Sequence, residues 1–493
     1  MGLKIIEPMK KRTRSLLGKK LMFSILAIGV FGIMAFNYFG DAPMASRPNF
    51  IFILTDDQGW TSTSQLMDER VLNSKSDYYQ TPQLERLASK GMRFSNGYAP
   101  SALCCPTRRS IQFGQTPARQ GDEKFKENYH PDFKKVAAIP AVLKSISPTY
   151  KAAHFGKWDL RADIFPEDLG YDESDGNTGN RNGDMNSTKE SKWTDLFLNN
   201  DPKRIETITD RALNFMGRQA KAGNPFFLQV SHYATHVDYQ AKVATHKKYQ
   251  QKSKGEIHGN DKYAAMLEDL DTGIGKILDE IDALGIGDNT YLIFMADNGA
   301  VEAVPQIKNK FDHPSTLSFK TNNYPLRGGK WTLYEGGIRV PFMVIGPGVK
   351  AGSQNNIPVT GWDILPTLID LAGNTNPLPP NLDGVSLKPL LLKGNAGNVS
   401  RKDEGIVFHY FGKSHSSIRI GDYKLIKFWN LKKVELYNLK DDPGELHDLT
   451  KSDPNKAGAL EARLIAYMEK VRAEPLYPPK SKTKNADDDD SQD

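Results

Sequence analysis

A chain of 493 residues, 39% hydrophobic and 25% charged, has the material for a large globular core, which excludes a disordered or fibrous polymer. Its net charge of +6 suggests an acidic partner, but residues 1–46 carry seven lysines and arginines against two acidic residues; the remainder is close to neutral and has no basic block, which excludes a nucleic-acid-binding surface. The only two cysteines, Cys104 and Cys105, are adjacent, so they provide neither a loop-closing disulfide nor a cysteine-rich zinc site.

In chain order, the basic stretch "MKKRTRSLLGKK" is followed by sixteen largely apolar residues, Leu21–Phe36. These read as the n-region and h-region of an export signal. The run is at the short edge of what spans a bilayer. Cleavage near "DAPMAS" and retention as an N-terminal membrane anchor through residues 21–36 both stay open, since Pro43 interrupts an A-x-A pattern. Either outcome puts the rest of the chain outside the cytoplasm, periplasmic or extracellular. Sequons at Asn186 and Asn398 carry little weight, because such triplets occur by chance.

From residue 47 strand-like and helix-like segments alternate. "NFIFIL" (49–54) is a buried-strand run. "TPQLERLASKG" (81–91) predicts a helix with Thr81 as N-cap, Pro82 in the first turn and Gly91 as the stop. Pro106 is placed to open a helix running towards Gly114, with Cys104 just before it. "PFFLQV" (225–230) and "TYLIFM" (290–295) are further strands, and between them Leu267, Leu270, Ile274, Ile277, Leu278, Ile281 and Leu284 recur at helical spacing. This rhythm predicts an α/β fold with a large, mainly parallel central sheet flanked by helices, over residues 47–375. Beyond the Pro/Asn-rich "NTNPLPPNLDG", the runs "IVFHYF", "SIRIGDYKLIKF" and "VELYNL" predict successive antiparallel strands, followed by a helix near 456–472. Residues 376–475 therefore read as a smaller C-terminal antiparallel-sheet subdomain, and 476–493 as a disordered polar and acidic tail.

Three apolar strands end in polar clusters: Asp56–Asp57, His232–His236 and Asp297–Asn298. Ligands of open α/β sheets bind beyond the carboxyl ends of the strands, so these clusters can converge. Asp56, Asp57, Asp297 and Asn298 offer only oxygen atoms, which suits a hard cation, Ca²⁺ or Mg²⁺. Each cluster alone reads equally as a strand-ending turn. Cys104 near a helix N-terminus, with Arg108 one turn on, faces an anion-binding environment. Lys157 in "HFGKWDLR" and Lys330 in "RGGKWTLYEGGIRVP" stand beside glycines and tryptophans that mark close-packed turns. A divalent cation, two lysines and an arginine around a nucleophile make a pocket for a tetrahedral oxyanion.

The stretch Cys104-Cys105-Pro106-Thr107-Arg108 fits a C-x-P-x-R signature in the register of Cys104 and not Cys105. With "NFIFILTDDQGW", "GKWDL", "LIFMADNGA", "GGKWTLYEGGIRVPF", "WDILPTLIDLAG" and "YKLIKF…VELYNL…DDPGELHDL" in order over about 47–475, the chain resembles the formylglycine-dependent (type I) sulfatases of the alkaline phosphatase superfamily. The resemblance implies hydrolysis of a sulfate monoester, on a sulfated carbohydrate by context. It implies oxidation of Cys104 by a sulfatase-maturing enzyme to formylglycine, held as its hydrate. It also assigns Asp56, Asp57, Asp297 and Asn298, with the matured Cys104 side chain beside them, to one cation, usually calcium. By the same resemblance Arg108 steadies the hydrate, Lys157 and Lys330 hold sulfate oxygens, and His236 faces the leaving oxygen. One hydroxyl of the hydrate would attack sulfur and the second, losing its proton, would let the aldehyde reform and sulfate leave.

Two departures stand out. The family's G-K-W-H-L-G histidine, which can take that last proton, is Asp159 here, and the proline usual two residues after the leaving-group histidine is Asp238. The base role therefore passes to Asp159, against the reading of a solvent-facing or capping aspartate. A further sulfate-contacting residue is expected between about 175 and 190. The rival readings are a phosphoric ester hydrolase on the same fold and an inactive glycan-binding relative. Substrate choice falls to the segments 60–80, 174–195 and 301–325.

Overall fold

The computed structural model describes residues 1–2, 47–122, 138–161, 164–183, 196–198, 200–302, 322–401 and 405–474. Residues 3–46 of the basic and apolar N-terminal segment, the acidic tail, Asn186 and parts of the segments 174–195 and 301–325 lie outside the described residues. No helix among the described residues is long and apolar enough to cross a membrane.

The centre is an eight-stranded sheet made of β1 (Asn49–Thr55), β2 (Met92–Phe94), β3 (Lys151–Gly156), β4 (Glu173–Ser174), β5 (Phe226–Ser231), β6 (Thr290–Ala296), β7 (Phe342–Ile345) and β8 (Ser353–Asn355), in the order β8-β2-β7-β6-β1-β5-β3-β4. All neighbours pair parallel except β7, which runs antiparallel to both β6 and β2. A parallel sheet covered on both faces wants strands that are apolar throughout, and β1 obeys. Ile51 and Ile53 face one layer, joined by Leu84 of α1 (Pro82–Lys90), Phe215 of α4 (Ile205–Ala222) and Ile274 of α5 (Asp261–Ala283). Phe50, Phe52 and Leu54 face the other, with Phe113 of α2 (Cys104–Phe113), Leu143 of α3 (Ile139–Ile146) and Leu368 of α7 (Ile364–Leu371).

Local expectations met three adjustments. Thr81 does precede α1, but its hydroxyl is occupied by Thr63 and Ser64, so it caps nothing. Asp271 of α5 caps α1 instead, its two oxygens accepting from the N–H groups of Gln83 and Leu84 at 2.8 and 2.9 Å. Helix α2 starts at Cys104 itself, two residues ahead of Pro106, and ends at Gly114 in a left-handed conformation. The run 417–428 is two strands, because Gly421 turns the chain at φ +58°.

That turn belongs to a four-stranded antiparallel meander, β9 (Ile406–Tyr410), β10 (His415–Ile420), β11 (Tyr423–Phe428) and β12 (Lys433–Asn438). One face carries α8 (Pro454–Lys470) through Ile418, Leu425, Leu436 and Leu464. The other face lies on the larger part, where Phe408 clusters with Leu333 and Trp362, and Ile426 and Tyr437 with Tyr334.

Candidate active site

Strand register levels the site. Leu54 pairs with Ser231, Thr55 with Ala296, and Gly156 with Ser231, so Asp56, His232, Asp297 and Lys157 all emerge at one edge. Backbone bonds carry the alignment past the strand ends: Asp56 N–H to Ala234 O at 3.0 Å, Asp297 N–H to Thr55 O at 3.0 Å, and Lys157 N–H to Ser231 O at 2.8 Å. Gly156 is required there, since its φ is +99° and a Cβ would stand 2.0 Å from Ser231 O.

Around this edge, one potential ligand atom each from Asp56, Asp57, Cys104 and Asp297 lies within 4.8 Å of the others, all on buried residues. Cys104 Sγ, which marks where the oxygens of a matured side chain would lie, is 3.3 Å from Asp56 Oδ1 and 3.9 Å from Asp57 Oδ1. Asn298 completes the group: its Nδ2 donates to Asp57 Oδ1 at 2.6 Å, while its buried Oδ1 has no hydrogen-bond partner. An orphaned amide oxygen beside three buried carboxylates is a donor set that fits a hard divalent cation.

Three cations answer the three carboxylates. Arg108 forks onto Asp297 Oδ2 through Nε and Nη2 at 3.0 and 2.7 Å and donates to Lys157 O. Lys157 Nζ sits 2.8 Å from Asp56 Oδ2 and 3.5 Å from Asp159 Oδ2. Lys330 Nζ sits 2.9 Å from Asp57 Oδ2. His236 Nε2 lies 3.7 Å from the same oxygen, with its Nδ1 against the Val237 carbonyl. Asp159 is buried in a left-handed conformation, φ +48°, its N–H bonded to Thr178 O.

Burial sets the protonation. It works against ionisation of Asp56, yet Lys157, His236 and Arg108 outweigh it and lower the pKa. Burial raises Asp57 and pushes Asp297 up to about 7, with the Asp56 charge adding to both. Burial also raises the Cys104 thiol and, with Lys330, holds His236 well below its ordinary value. Both lysines stay charged because the carboxylates overcome their desolvation.

The structure brings together the ten site candidates: Asp56, Asp57, Cys104, Arg108, Lys157, Asp159, His236, Asp297, Asn298 and, from its own loop, Lys330. Cys105 points away, its thiol towards Leu160 O at 3.6 Å and its pKa pushed up to about 12 by burial. His232 also stays apart; both ring nitrogens are buried without a hydrogen bond and burial brings its pKa down to about 4. Sequence reasoning missed Thr178, whose hydroxyl donates to Gly156 O and accepts from Trp158 N–H, bracketing Lys157. It lies in the polar run "GNTGN", where nothing but a strand-pairing partner could have marked it.

Comparison with known proteins accords with this geometry. The family model described as sulfatase matches residues 48–374, and one described as N-sulphoglucosamine sulphohydrolase, C-terminal, matches 329–474. The chain is 29% identical to N-acetylgalactosamine-6-sulfatase of Homo sapiens over 409 residues, covering 78% of this chain and 72% of that protein. It is 27% identical to a sulfatase of Formosa agariphila over 504 residues, covering 83% and 86%. Among solved structures it resembles Ps i-CgsB in complex with k-i-k-neocarrahexaose, with TM-score 0.69, 25% identity, and 86% and 93% of the two chains covered. The fold is shared with a phosphonate monoester hydrolase of Agrobacterium radiobacter at TM-score 0.60 and 16% identity, over 86% and 96% of the two chains. The chain belongs to the sulfatase family of the alkaline phosphatase superfamily and is a sulfuric ester hydrolase.

Proposed function

We propose that this exported enzyme removes sulfate from a sulfated carbohydrate, using formylglycine matured from Cys104 by a sulfatase-maturing enzyme, and one divalent cation, calcium. The carbohydrate reading rests on the relatives: one is named for N-acetylgalactosamine 6-sulfate chemistry and one solved neighbour holds a neocarrahexaose. The observation that carries the site reading is the meeting of three buried carboxylates, the orphaned Asn298 Oδ1 and three cationic side chains on Cys104.

Asp56, Asp57, Asp297 and Asn298 would hold the cation, which when bound supplies Lewis-acid polarisation of an oxygen and screens the sulfate charge. The matured Cys104 side chain would supply geminal hydroxyls, one to attack sulfur and one whose ionisation releases sulfate. Arg108 fixes Asp297 and lends positive potential to Cys104. Lys157 and Lys330 now spend their charge on Asp56 and Asp57; with those carboxylates turned to a cation, both ammonium groups are directed at sulfate oxygens. Lys330, which keeps its charge, holds the proton for the departing sugar oxygen, and neutral His236 faces that oxygen. Asp159, 3.5 Å from Lys157 Nζ, takes the proton that the family's histidine takes elsewhere.

The test pairs two measurements on protein made in a host that matures sulfatases: the mass of the Cys104 peptide, and inorganic sulfate released from sulfated monosaccharides, N-acetylgalactosamine 6-sulfate among them. An aldehyde mass with sulfate release that chelation abolishes is expected. An unmodified thiol in active protein would sink the formylglycine reading. Hydrolysis of phosphate monoesters or diesters in preference to sulfate esters would favour the phosphoric ester alternative, and tight glycan binding by aldehyde-bearing protein without turnover would favour an inactive relative.

A further inference from the structure

Lys330 does not sit on a strand end. It belongs to the loop 326–335, whose own packing is glycine-dependent: a Cβ on Gly299 would stand 1.7 Å from Gly336 O, and one on Gly336 would stand 2.0 Å from Gly328 O. Two backbone bonds tie the loop to the site, Lys330 N–H to Ala300 O and Trp331 N–H to Ala102 O, both 3.1 Å.

Further polar anchors come from the C-terminal meander and the segment that follows it, beside Tyr98 Oη, which donates to Glu335 Oε2 at 2.7 Å. Leu333 N–H donates to His415 Nε2 of β10 at 3.2 Å, and Tyr334 Oη donates to Glu435 Oε2 of β12 at 2.9 Å. Arg327 donates to Tyr437 Oη at 3.0 Å and Glu445 O at 3.2 Å. Glu335, which opens the short helix α6 (Glu335–Ile338), receives the deepest anchor. Lys424 Nζ of β11 lies 2.9 Å from Glu335 Oε1 and 2.9 Å from Glu445 Oε1, and Glu335 N–H donates to Glu445 Oε2 at 2.6 Å. The side chains of both Lys424 and Glu335 are wholly buried.

We propose that Lys424 is a positioning residue of the active site, holding two carboxylates of opposite origin together so that the Lys330 ammonium is fixed over the sulfate pocket. The inference rests on the reading of Lys330 as a sulfate holder. Lys424 lies within hydrogen-bond distance of both carboxylates at once. Arg339, Arg419 and Tyr98 face Glu335 from the catalytic side and β10, while Arg327 and Tyr334 face Glu445. Without Lys424, Glu335 and Glu445 meet across one backbone N–H with no shared cation. Burial already raises Glu445 to about 7, so one of the two must take a proton or the loop must move.

The experiment uses the full chain with calcium and inorganic sulfate as the probe, its binding followed by calorimetry at pH 6 and pH 8 beside thermal melting. Lys330→Ala is the reference. Lys424→Met should weaken sulfate binding about tenfold when both glutamates are ionised, and the loss should shrink as pH falls and Glu445, raised further without Lys424, takes a proton. Lys424→Arg should stay near wild type, and the charge-balanced Lys424→Met/Glu445→Gln should recover most of the affinity. A folded Lys424→Met with unchanged sulfate affinity and pH dependence, whatever its melting temperature, overturns the proposal while Lys330→Ala still binds weakly. If Lys424→Met does not fold, Glu335→Gln decides, since it leaves Lys424 in place and breaks its ion pair with the loop: affinity weakened towards that of Lys330→Ala supports the proposal, and wild-type affinity overturns it. Wild-type affinity in Lys330→Ala removes the reading of Lys330 and the proposal with it.

Discussion

Lys157 and Lys330 reach neighbouring carboxylates, Asp56 at 2.8 Å and Asp57 at 2.9 Å, from two differently built regions. Lys157 follows β3 directly, and its backbone is fixed by the register of a parallel sheet and by Thr178. Lys330 sits in a loop whose shape is held by residues 82 to 110 positions further along the chain, in the C-terminal sheet and the segment after it. One cation is placed by local secondary structure, the other by tertiary packing. The two should therefore fail differently when disturbed.

The largest difference is expected for the lysines themselves. In Lys157→Met, Asp56 loses its nearest cation from a fully buried ion pair, and breaking such a pair costs about 3–5 kcal/mol of stability. Thermal melting should record that loss together with abolished sulfate release. Lys330→Met removes a charge from a loop, and its cost should be nearer the roughly 1–3 kcal/mol of an unmade hydrogen bond to a charged group, with turnover lost equally. Equal losses of stability would erase the distinction between the regions.

Chelation sharpens the comparison from the other side. Asp57 and Asp297 have raised pKa values in a site whose three carboxylates crowd together, so a bound divalent cation should stabilise the fold strongly. At a cation concentration one hundred times its dissociation constant the gain is about 2.7 kcal/mol, readable as a shift in melting temperature on adding and removing calcium. Cation removal should lower the melting temperature of Lys157→Met more than that of the wild type, because without Lys157 only the cation compensates the buried Asp56.

The contrast also explains what the sequence could disclose. The strand-end half was legible: apolar runs followed by "DD", "H…H" and "DN" are local patterns, and a parallel sheet converts them into one edge without further information. Cys104 and Arg108 were legible because a helix N-terminus and a four-residue spacing are local too. The supports of Lys330 were not. His415, Lys424, Glu435 and Glu445 lie among ordinary strand and turn residues, and only the docking of one sheet face on the loop gives them a role. For the same reason Thr178 was hidden, and so was the cap of α1, which comes from Asp271 rather than the adjacent Thr81. The middle C-terminal run was read as one strand because Gly421-Asp422 interrupts an otherwise continuous pattern by only two residues.

A further test reaches one anchor of the loop through pH. His415 accepts the Leu333 N–H with a neutral Nε2, and burial brings its pKa down to about 4 from an ordinary 6.5. Between those values the unfolded chain binds the proton and the folded one does not. The stability contributed is therefore complete above about pH 6.5 and falls as pH drops towards 4, by roughly 3 kcal/mol at most. His154 and His232, brought down to about 3 and about 4 by burial, add slopes of the same sign from outside the loop. His415→Gln keeps an acceptor for Leu333 but nothing to titrate, so it should remove only its own share of the acid slope in melting measurements from pH 7 to pH 4. If the loop is held as the contacts indicate, weakening of inorganic sulfate binding on acidification should flatten in the same variant. A flattened melting slope with unaltered acid loss of sulfate affinity would detach His415 from Lys330 and leave the grip of the C-terminal sheet to Lys424 and Glu435.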